Sequence, residues 1–491
     1  MKQIDYQVLN MLEKEAQHKH ESGERSPFQL GIPLVDISDA TIEEIYYFRW
    51  HIYSKHIKKT PSGYVVTEFL PPVPWAGKYN TISCPAGHHM YEGRWLHNKE
   101  ILTNYAKFWF TPDATPRRYS FWAADAVWAI CSVTGDFSLA ESLYEPLKDN
   151  FASWEAEKLM PNGLFYQIDD RDGMEYSAGG SGCRPTINSY MFGDAVALSK
   201  IALRLNKPDE AKIYAAKANS IKEKVDSLLW DDEASFYKTL AEKNDYSKAD
   251  VRELIGYIPW YFHLASDGKE AAWQYLNDER YFYAPYGPTT TEQICPDFMK
   301  KFDHECLWNG PSWPFATSQT LTALGNLLAD YNQDVMQRSD YYKLLSQYSK
   351  CHYLKENGKT IPFIDENLDP FTGEWIARKI LLKSDNPNKV PHRGKDYNHS
   401  TFCDLVLTGL AGIRAREDDV LEIAPLFSET DLEYFCADGI LFHGHNICVL
   451  WDKTGQRYGK GTGFYVYCDG AMVYAPTEKT SSIPDRITIA L

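Results

Sequence analysis

The spacing of apolar residues changes twice along the chain and divides it into three parts. In residues 1–84 the pattern is irregular, with helical spacing at residues 42–50 and a strand-like run at residues 63–70. We therefore predict an irregular N-terminal segment that contains some strand.

Between residues 85 and 415, apolar positions recur every three to four residues, which predicts amphipathic helices. Loops rich in aromatic, glycine and proline residues separate these runs. The predicted helices cover residues 100–109, 121–133, 139–155, 190–205, 209–229, 249–264, 318–331, 340–348 and 401–413. The absence of strand–helix alternation with a G-x-G-x-x-G turn argues against a doubly wound sheet. Repeated helix pairs favour a closed toroid, with a helical solenoid as the alternative.

After residue 416 the apolar period changes toward two. Residues 434–443 and 464–474 are apolar runs that Asp-Gly interrupts, and this dipeptide is a strong hairpin signal. We predict a small C-terminal β module over residues 416–491. The predicted fold is therefore mainly α, with the helical part at 85–415 between the irregular segment and the β module.

Composition and charge limit the classes of partner. The chain has 491 residues, of which 44% are hydrophobic and 14% aromatic, including 14 Trp and 33 Tyr. Such values are typical of a globular protein with many aromatic side chains. The net charge is −16 and no run of Lys or Arg occurs, which argues against a nucleic acid as partner because phosphate binding needs a basic stripe.

Compartment is indicated by two further features. No apolar stretch approaches the length of a membrane span, and the first residues lack the apolar core of an export signal. The ten cysteines are scattered without a C-x-x-C pair, which predicts reduced, packed thiols. We predict a cytoplasmic protein with no membrane partner; export through a signal that this sequence lacks is the alternative. The oligomeric state stays unknown at this point.

A stiff aromatic loop precedes the predicted helix at 318–331. Residues 308–314 read Trp-Asn-Gly-Pro-Ser-Trp-Pro. Proline fixes φ and glycine allows a close approach of the backbone, so this loop should present flat, rigid faces. Indole rings, each with one N–H, suit the C–H face and the hydroxyls of a sugar ring. The alternative is an aromatic loop that only closes the core.

Carboxyl groups gather in two other loops. Residues 169–177 contain Asp169, Asp170, Asp172 and Glu175 beside a glycine-rich stretch, and residues 364–375 contain further acids. Each acid by itself is more typical of a solvated turn, and calcium at residues 169–172 is a further option. As a group, they could place a carboxyl with a raised pKa against an aromatic wall, as a general acid requires.

Two of these segments carry a family resemblance. W-x-G-P-x-W at 308–313, followed by Glu-Asn-Leu-Asp-Pro-Phe-Thr-Gly-Glu at 366–374, resembles the inverting (α/α)6-toroid glycosidases. This clan includes the trehalases, of glycoside hydrolase family 37, and the mannosyl-oligosaccharide glucosidases and mannosylglycerate hydrolases of family 63. The resemblance implies a six-hairpin toroid at 85–415 and a glycoside hydrolase with Glu366 as general base. Residues 173–177 resemble the acid motif of the family, with glutamate where the family has aspartate.

The resemblance further implies residue roles. Glu175 is expected to be the general acid, with Asp172 as second choice because of the glutamate replacement. The expected substrate-binding residues are Phe121, Trp122, Asp125, Arg184, Asn188, Trp308, Asn309, Trp313, Trp375 and His399. Inverting hydrolysis with two carboxyl groups implies neither metal nor organic cofactor. The expected substrate is an oligosaccharide or small glycoside, α-linked and cut from its end.

Other functions stay open at this point. Polysaccharide lyases and sugar epimerases share the toroid, the first with Tyr or His bases and the second with paired His. The chain has His88, His89 and His399, but none lies in an epimerase-like motif. A non-catalytic carbohydrate-binding protein would use the aromatic loops for binding alone.

Overall fold

Helices dominate the computed structural model, which describes residues 30–300, 304–386, 389–476 and 482–491. Its α-helices span Ala40–His56, Ala86–Gly93, Lys99–Phe108, Ala123–Thr134, Ser138–Ser142, Tyr144–Lys158, Pro185–Arg204, Pro208–Lys224, Ile258–Tyr261, Pro314–Asp330, Arg338–Lys350, Ile376–Leu382 and Cys403–Leu405. Within these ranges, no helix has both the length and the apolar character that crossing a bilayer requires. The first residues of the predicted N-terminal segment, 1–29, lie outside the described part.

Three predicted helices differ from the observed ones. The run at 401–413 forms the short α-helix Cys403–Leu405, which a π-helix, Val406–Leu410, continues. The run at 139–155 is divided into Ser138–Ser142 and Tyr144–Lys158. The run at 249–264 is replaced by a 3-10 turn, Leu254–Tyr257, and one helical turn, Ile258–Tyr261. Pro259 lies at the start of that helical turn, and a proline is tolerated only in the first turn because it has no N–H to donate. The apolar spacing was therefore correct locally, but the predicted length was wrong.

The described strands form one five-stranded sheet, two three-stranded sheets and three two-stranded hairpins. They span Leu34–Ile37, Ile57–Thr60, Gly63–Val66, Gly182–Cys183, Trp230–Asp231, Phe236–Tyr237, Leu240–Ala241, Ser247–Lys248, Tyr353–Glu356, Lys359–Pro362, Ile413–Arg414, Val420–Ile423, Tyr434–Phe442, His445–Asp452, Gly463–Cys468, Ala471–Tyr474 and Ile487–Ala490. The five-stranded sheet is antiparallel and contains four strands from residues 434–474. Its fifth strand is Leu34–Ile37, which pairs with Tyr434–Phe442. One strand of the N-terminal segment is thus part of the C-terminal sheet.

The N-terminal segment also supplies a buried helix. Asp39 caps the helix Ala40–His56, because its side chain accepts hydrogen bonds from two backbone N–H groups of the first turn. Inside this helix, the buried Arg49 donates to the backbone oxygen of Ser400 (2.6 Å). The helix packs against Arg338–Lys350. This helix of the predicted N-terminal segment therefore packs on the helical body.

Three helices of the body direct their N-terminal ends toward one place. Tyr119, Trp313 and His399 precede the helices Ala123–Thr134, Pro314–Asp330 and Cys403–Leu405, and all three line one cavity. Residues farther along the same helices line a second cavity. The two cavities therefore lie toward opposite ends of these helices.

Candidate active site

The first cavity has a volume of about 570 Å³ and combines carboxyl groups with aromatic rings. This size lies in the range of small-molecule pockets. The residues that give it chemical character are Glu68, Glu175, Glu366, Arg393, Trp308, Trp313, Phe315, Tyr397 and His399. Both predicted catalytic glutamates therefore line one cavity, although 191 positions separate them in the sequence.

A tight turn positions Glu175. The 3-10 helix Asp169–Asp172 ends at Gly173, whose φ of 71° is in the left-handed region that favours glycine. A Cβ atom there would lie 2.4 Å from the sulfur of Cys84, so a side chain would also collide. Beyond the turn, the carbonyl of Glu175 accepts a hydrogen bond from the N–H of Trp308 (3.0 Å). The loop of Glu175 is thereby attached to the aromatic loop.

The aromatic loop is attached in turn to the segment of Glu366. Ser312 and Leu368 exchange two backbone hydrogen bonds of 3.0 Å each. The N–H of Glu366 donates to Oδ1 of Asp365 (2.8 Å). Three loops that are distant in sequence thus form one continuous wall of the cavity.

Glu366 is buried and held by two donors. Nε of Arg393 donates to its Oε1 (2.8 Å), and a second guanidinium nitrogen lies 3.3 Å from Oε2. The thiol of Cys306 donates to Oε2 (3.1 Å). The guanidinium compensates the negative charge of the carboxylate through a charge-assisted pair.

Glu175 is in a different environment. Burial raises its pKa to about 8, and the neighbouring negative charges of Asp170, Glu366 and Glu68 act in the same direction. A carboxyl with this pKa is mostly protonated at neutral pH. The cavity therefore contains one carboxyl that can give a proton and one that can accept a proton.

A third carboxyl group, Glu68, was not among the predicted site residues. The hydroxyl of Tyr397 donates to it, but burial and the charge of Glu366 raise the pKa of Glu68 to about 8. Glu68 follows the strand Gly63–Val66 and is far from Glu366 in the sequence. The two residues line the same cavity only because the chain folds. No motif in the sequence pointed to it.

The aromatic wall leaves polar ring atoms without partners. The indoles of Trp308 and Trp313 are stacked, with centroids 4.5 Å apart. His399 packs between Tyr397 and Phe315, with centroid distances of 3.7 and 6.0 Å. Nε1 of Trp308 and both ring nitrogens of His399 are buried and have no hydrogen-bond partner among the described residues. Such groups are ready to bind hydroxyls of a ligand, because buried polar atoms are usually paired.

Seven predicted site residues do not line this cavity: Phe121, Trp122, Asp125, Arg184, Asn188, Asn309 and Trp375. Arg184 is fully buried and donates to Oδ2 of Asp172 (2.6 Å), and Asn188 exchanges two hydrogen bonds with the backbone of Phe165. Trp375 donates to the carbonyl of Tyr353 (3.0 Å). These side chains therefore make contacts within the protein, outside the lining of the cavity.

The other members of that set have similar positions. Phe121 packs on Trp109 in the core, Trp122 is fully buried, and Asn309 accepts a backbone hydrogen bond from Met299 (2.8 Å). Asp125 lines the second cavity. The sequence could not separate these residues from true lining residues, because a motif gives proximity along the chain and not the direction of a side chain.

Asp172, the second choice for the acid, is also outside the cavity. It is buried and accepts hydrogen bonds from Arg184, Ser120 and Thr186. These donors hold the side chain of Asp172 in a structural role. Its position favours Glu175 as the proton donor.

Arg393 and Cys306 are further cavity residues that sequence reasoning missed, as are Phe315 and Tyr397. Arg393 lies in a polar loop with no motif, and Cys306 looked like one of several scattered thiols. Both contact Glu366 only through the folding of residues 304–313 and 389–400 around it.

The chain is similar to a known family and to one curated protein. The profile of the mannosylglycerate hydrolase MGH1-like glycoside hydrolase domain matches residues 78–400. An uncharacterized protein of Borreliella burgdorferi is 27% identical over 165 residues, which cover 32% of this chain and 33% of that protein. The chain therefore spans about a third of the length of this curated relative.

Solved structures are similar as well. A sialidase is 37% identical and superposes with a TM-score of 0.89 over 98% of this chain, which corresponds to 45% of the sialidase chain. An α-L-rhamnosidase from Dictyoglumus thermophilum, 15% identical, has a TM-score of 0.52 and covers 86% of this chain and 43% of its own. A family 63 mannosylglycerate hydrolase from Thermus thermophilus, 12% identical, has a TM-score of 0.50 with coverages of 73% and 98%. At such identities the last two show similarity of fold alone.

Proposed function

The chain belongs to the mannosylglycerate hydrolase MGH1-like glycoside hydrolases, and from this premise we propose that it cleaves a glycosidic bond with inversion, using Glu175 as general acid and Glu366 as general base. The observation that carries the proposal is the contrast between these two carboxyl groups in one cavity. Burial raises the pKa of Glu175, whereas Glu366 is paired with Arg393. Such hydrolysis requires one protonated carboxyl group as acid and one carboxylate as base.

In the proposed reaction, Glu366 removes a proton from a water molecule that attacks the anomeric carbon. Glu175 gives its proton to the oxygen of the leaving group as the glycosidic bond breaks. The product then has the opposite anomeric configuration. Afterwards Glu366 is protonated and Glu175 ionised, so a proton must return through solvent before the next turnover. The pairing of Glu366 with Arg393 supports its starting state as a carboxylate.

The aromatic wall supports a carbohydrate substrate. The stacked rings of Trp308 and Trp313 offer apolar faces, while Nε1 of Trp308 and the nitrogens of His399 offer unpartnered polar atoms beside them. A sugar ring has the complementary arrangement of C–H faces and hydroxyls. We propose an oligosaccharide or small glycoside that is α-linked and cut from its end. The similar proteins are named for different sugars, so the sugar that is cleaved has to be identified with a panel of glycosides.

We also propose that the helices of residues 85–415 close into an (α/α)6 toroid around this cavity. Support comes from the helices that direct their N-terminal ends to it, and from the similarity of fold to glycosidases. The proposed domains are the N-terminal segment 1–84, the toroid 85–415 and the C-terminal β module 416–491. The strand Leu34–Ile37 would then join the first of these to the last.

The test is a hydrolysis screen on α- and β-linked disaccharides and aryl glycosides. Wild type is compared with Glu366→Gln and with a matched control, Glu374→Gln, whose exposed side chain belongs to the same segment and pairs with Lys379. We expect Glu366→Gln to lose about 10³-fold in kcat and the control to retain it. Proton NMR of the first product should show the inverted anomer.

Two results would contradict the proposal. Full activity of Glu366→Gln would remove the base assignment, and a retained anomeric configuration would remove the inverting mechanism. If uronate polymers gained ultraviolet absorbance and no glycoside were cut, a lyase would replace the hydrolase mechanism.

A further inference from the structure

A second cavity of about 400 Å³ lies at the other end of the helices that carry the candidate active site. In the helix Pro314–Asp330, Phe315 lines the first cavity, whereas Leu321 and Asn326 line the second. From Phe315 to Leu321 the helix advances about 9 Å at 1.5 Å per residue. The second cavity is thus a separate space in the same helical body.

A layer of rings separates the two cavities. Trp122 is fully buried and packs on His88, Tyr190 and Phe262, with ring centroids 4.5–6.1 Å apart. His88 in turn packs against Phe315 of the first cavity (4.4 Å). A molecule bound in the second cavity would therefore not contact the candidate catalytic groups.

The second cavity has one acceptor that is left without a donor among the described residues. Asp404 is buried and lines it; Oδ1 accepts hydrogen bonds from Arg94 (2.8 Å) and Trp95 (2.6 Å), but Oδ2 has no partner among the described residues. Asp125 also lines it, and one of its oxygens accepts the hydroxyl of Tyr91 (2.6 Å). A buried carboxylate oxygen without a donor is costly, so a ligand that donates a hydrogen bond would be stabilised there.

The cations of this cavity are already compensated. Arg94 pairs with Asp404, and Arg414 pairs with Asp330 (2.7 Å). Lys200 lies 5.4 Å above the ring of Trp128 and 3.4 Å from Glu417. Because Asp404 and these three cations are already paired, neither an anionic nor a cationic ligand would find an uncompensated partner among them. The balance of charge therefore favours a neutral ligand that both donates and accepts hydrogen bonds.

Aromatic faces complete the wall. Trp128, Phe192, Tyr261 and Phe262 line the cavity beside the carboxyl groups. Flat rings next to hydrogen-bonding side chains match the C–H faces and hydroxyls of a sugar ring. We propose that this cavity is a second binding site for a neutral monosaccharide-sized polyhydroxy compound, separate from the site of hydrolysis.

The test measures binding by calorimetry, with D-glucose, D-mannose and D-galactose as probes. Val196→Trp fills the cavity from its partly exposed rim, and Leu203→Trp places the same ring on an exposed position of the same helix as the control. Trp308→Ala should weaken sugar binding in the first cavity. A binding event that persists in this variant is therefore assigned to the second cavity. Because no turnover is needed, the result does not depend on the proposed hydrolysis.

We expect at least one of the sugars to bind in wild type, Leu203→Trp and Trp308→Ala, and to bind about tenfold or more weakly in Val196→Trp. Thr322→Trp, also on the rim, is the second filling variant, and melting curves identify which filling variant is folded. The proposal is overturned if a folded filling variant binds as wild type does, or if none of the sugars binds. It is also overturned if only glucosamine or gluconate, the charged analogues, bind.

Discussion

The two cavities of the helical body differ in how their charges are paired. In the cavity of Glu175 and Glu366, Arg393 pairs with Glu366, whereas the side chain of Glu175 has no cationic partner among the described residues and burial raises its pKa. In the opposite cavity, each of the cations Arg94, Lys200 and Arg414 has an acidic partner. Paired charges suit binding, whereas an arginine-paired carboxylate beside a carboxyl with a raised pKa suits acid–base chemistry.

Similar residue types can therefore form two cavities with different chemical properties. Both cavities are lined by aromatic rings and carboxyl groups, and both receive residues from the same helices. What distinguishes them is the position of the arginines relative to the carboxyl groups. Substitutions that change these charge pairs or the carboxyl groups test this difference between the cavities.

Glu175→Gln should remove the proton donor and leave the base intact. We expect kcat on disaccharides to fall about 10³-fold, because general acid catalysis supplies about this factor. On aryl glycosides with a very acidic phenol the loss should be much smaller, since such a leaving group departs without protonation. Steady-state kinetics on both substrates measure the ratio. An equal loss on both would contradict the acid role.

Arg393→Met should break the pairing that distinguishes Glu366. The side chains of both partners are nearly inaccessible, and leaving one buried charge unpaired costs about 3 kcal/mol or more. We expect a lower free energy of unfolding in urea and a loss of about 10²-fold in kcat/KM. The double variant Arg393→Met with Glu366→Gln should recover part of the stability. If both single changes were additive, the pairing would have no special energetic role.

The pH dependence should follow Glu175. Its pKa is raised to about 8, so the protonated, active form is present below this pH and is lost above it. We expect kcat/KM to fall about tenfold per pH unit on the alkaline side. In Glu175→Gln, this alkaline decrease of kcat/KM should disappear for activated aryl glycosides. Glu68→Gln is the control, because the pKa of Glu68 is also raised to about 8; loss of the alkaline decrease there would transfer the role to Glu68.

Trp308→Phe should have the smallest effect. The substitution keeps an aromatic face but removes Nε1, which has no partner among the described residues. One hydrogen bond to a sugar hydroxyl corresponds to about 1 kcal/mol, or about fivefold in KM, with kcat nearly unchanged. Trp375→Phe, whose indole N–H is already bound to the carbonyl of Tyr353, is the matched control outside the cavity. A KM unchanged in Trp308→Phe would remove this contact from the proposal.

The sequence by itself determined the class of elements and the two segments that carry Glu175 and Glu366. Helical spacing, the Trp308 loop and the Glu366 motif are local features, so they persist in any fold that the chain adopts. Family membership followed from the same local motifs. This is why the carboxyl pair could be named before the fold was known, while the ends of helices such as the one at Pro259 were placed wrongly.

Only the tertiary structure decided which side chains reach the cavity. Arg393 and Glu68 contact the site from loops without any motif, and Trp122 and Arg184, which do belong to motif segments, are directed into the core. The strand Leu34–Ile37 joins the far end of the chain for the same reason. Contacts between distant segments depend on the packing of the whole chain, and packing fixes the direction of side chains, their desolvation and hence their pKa values.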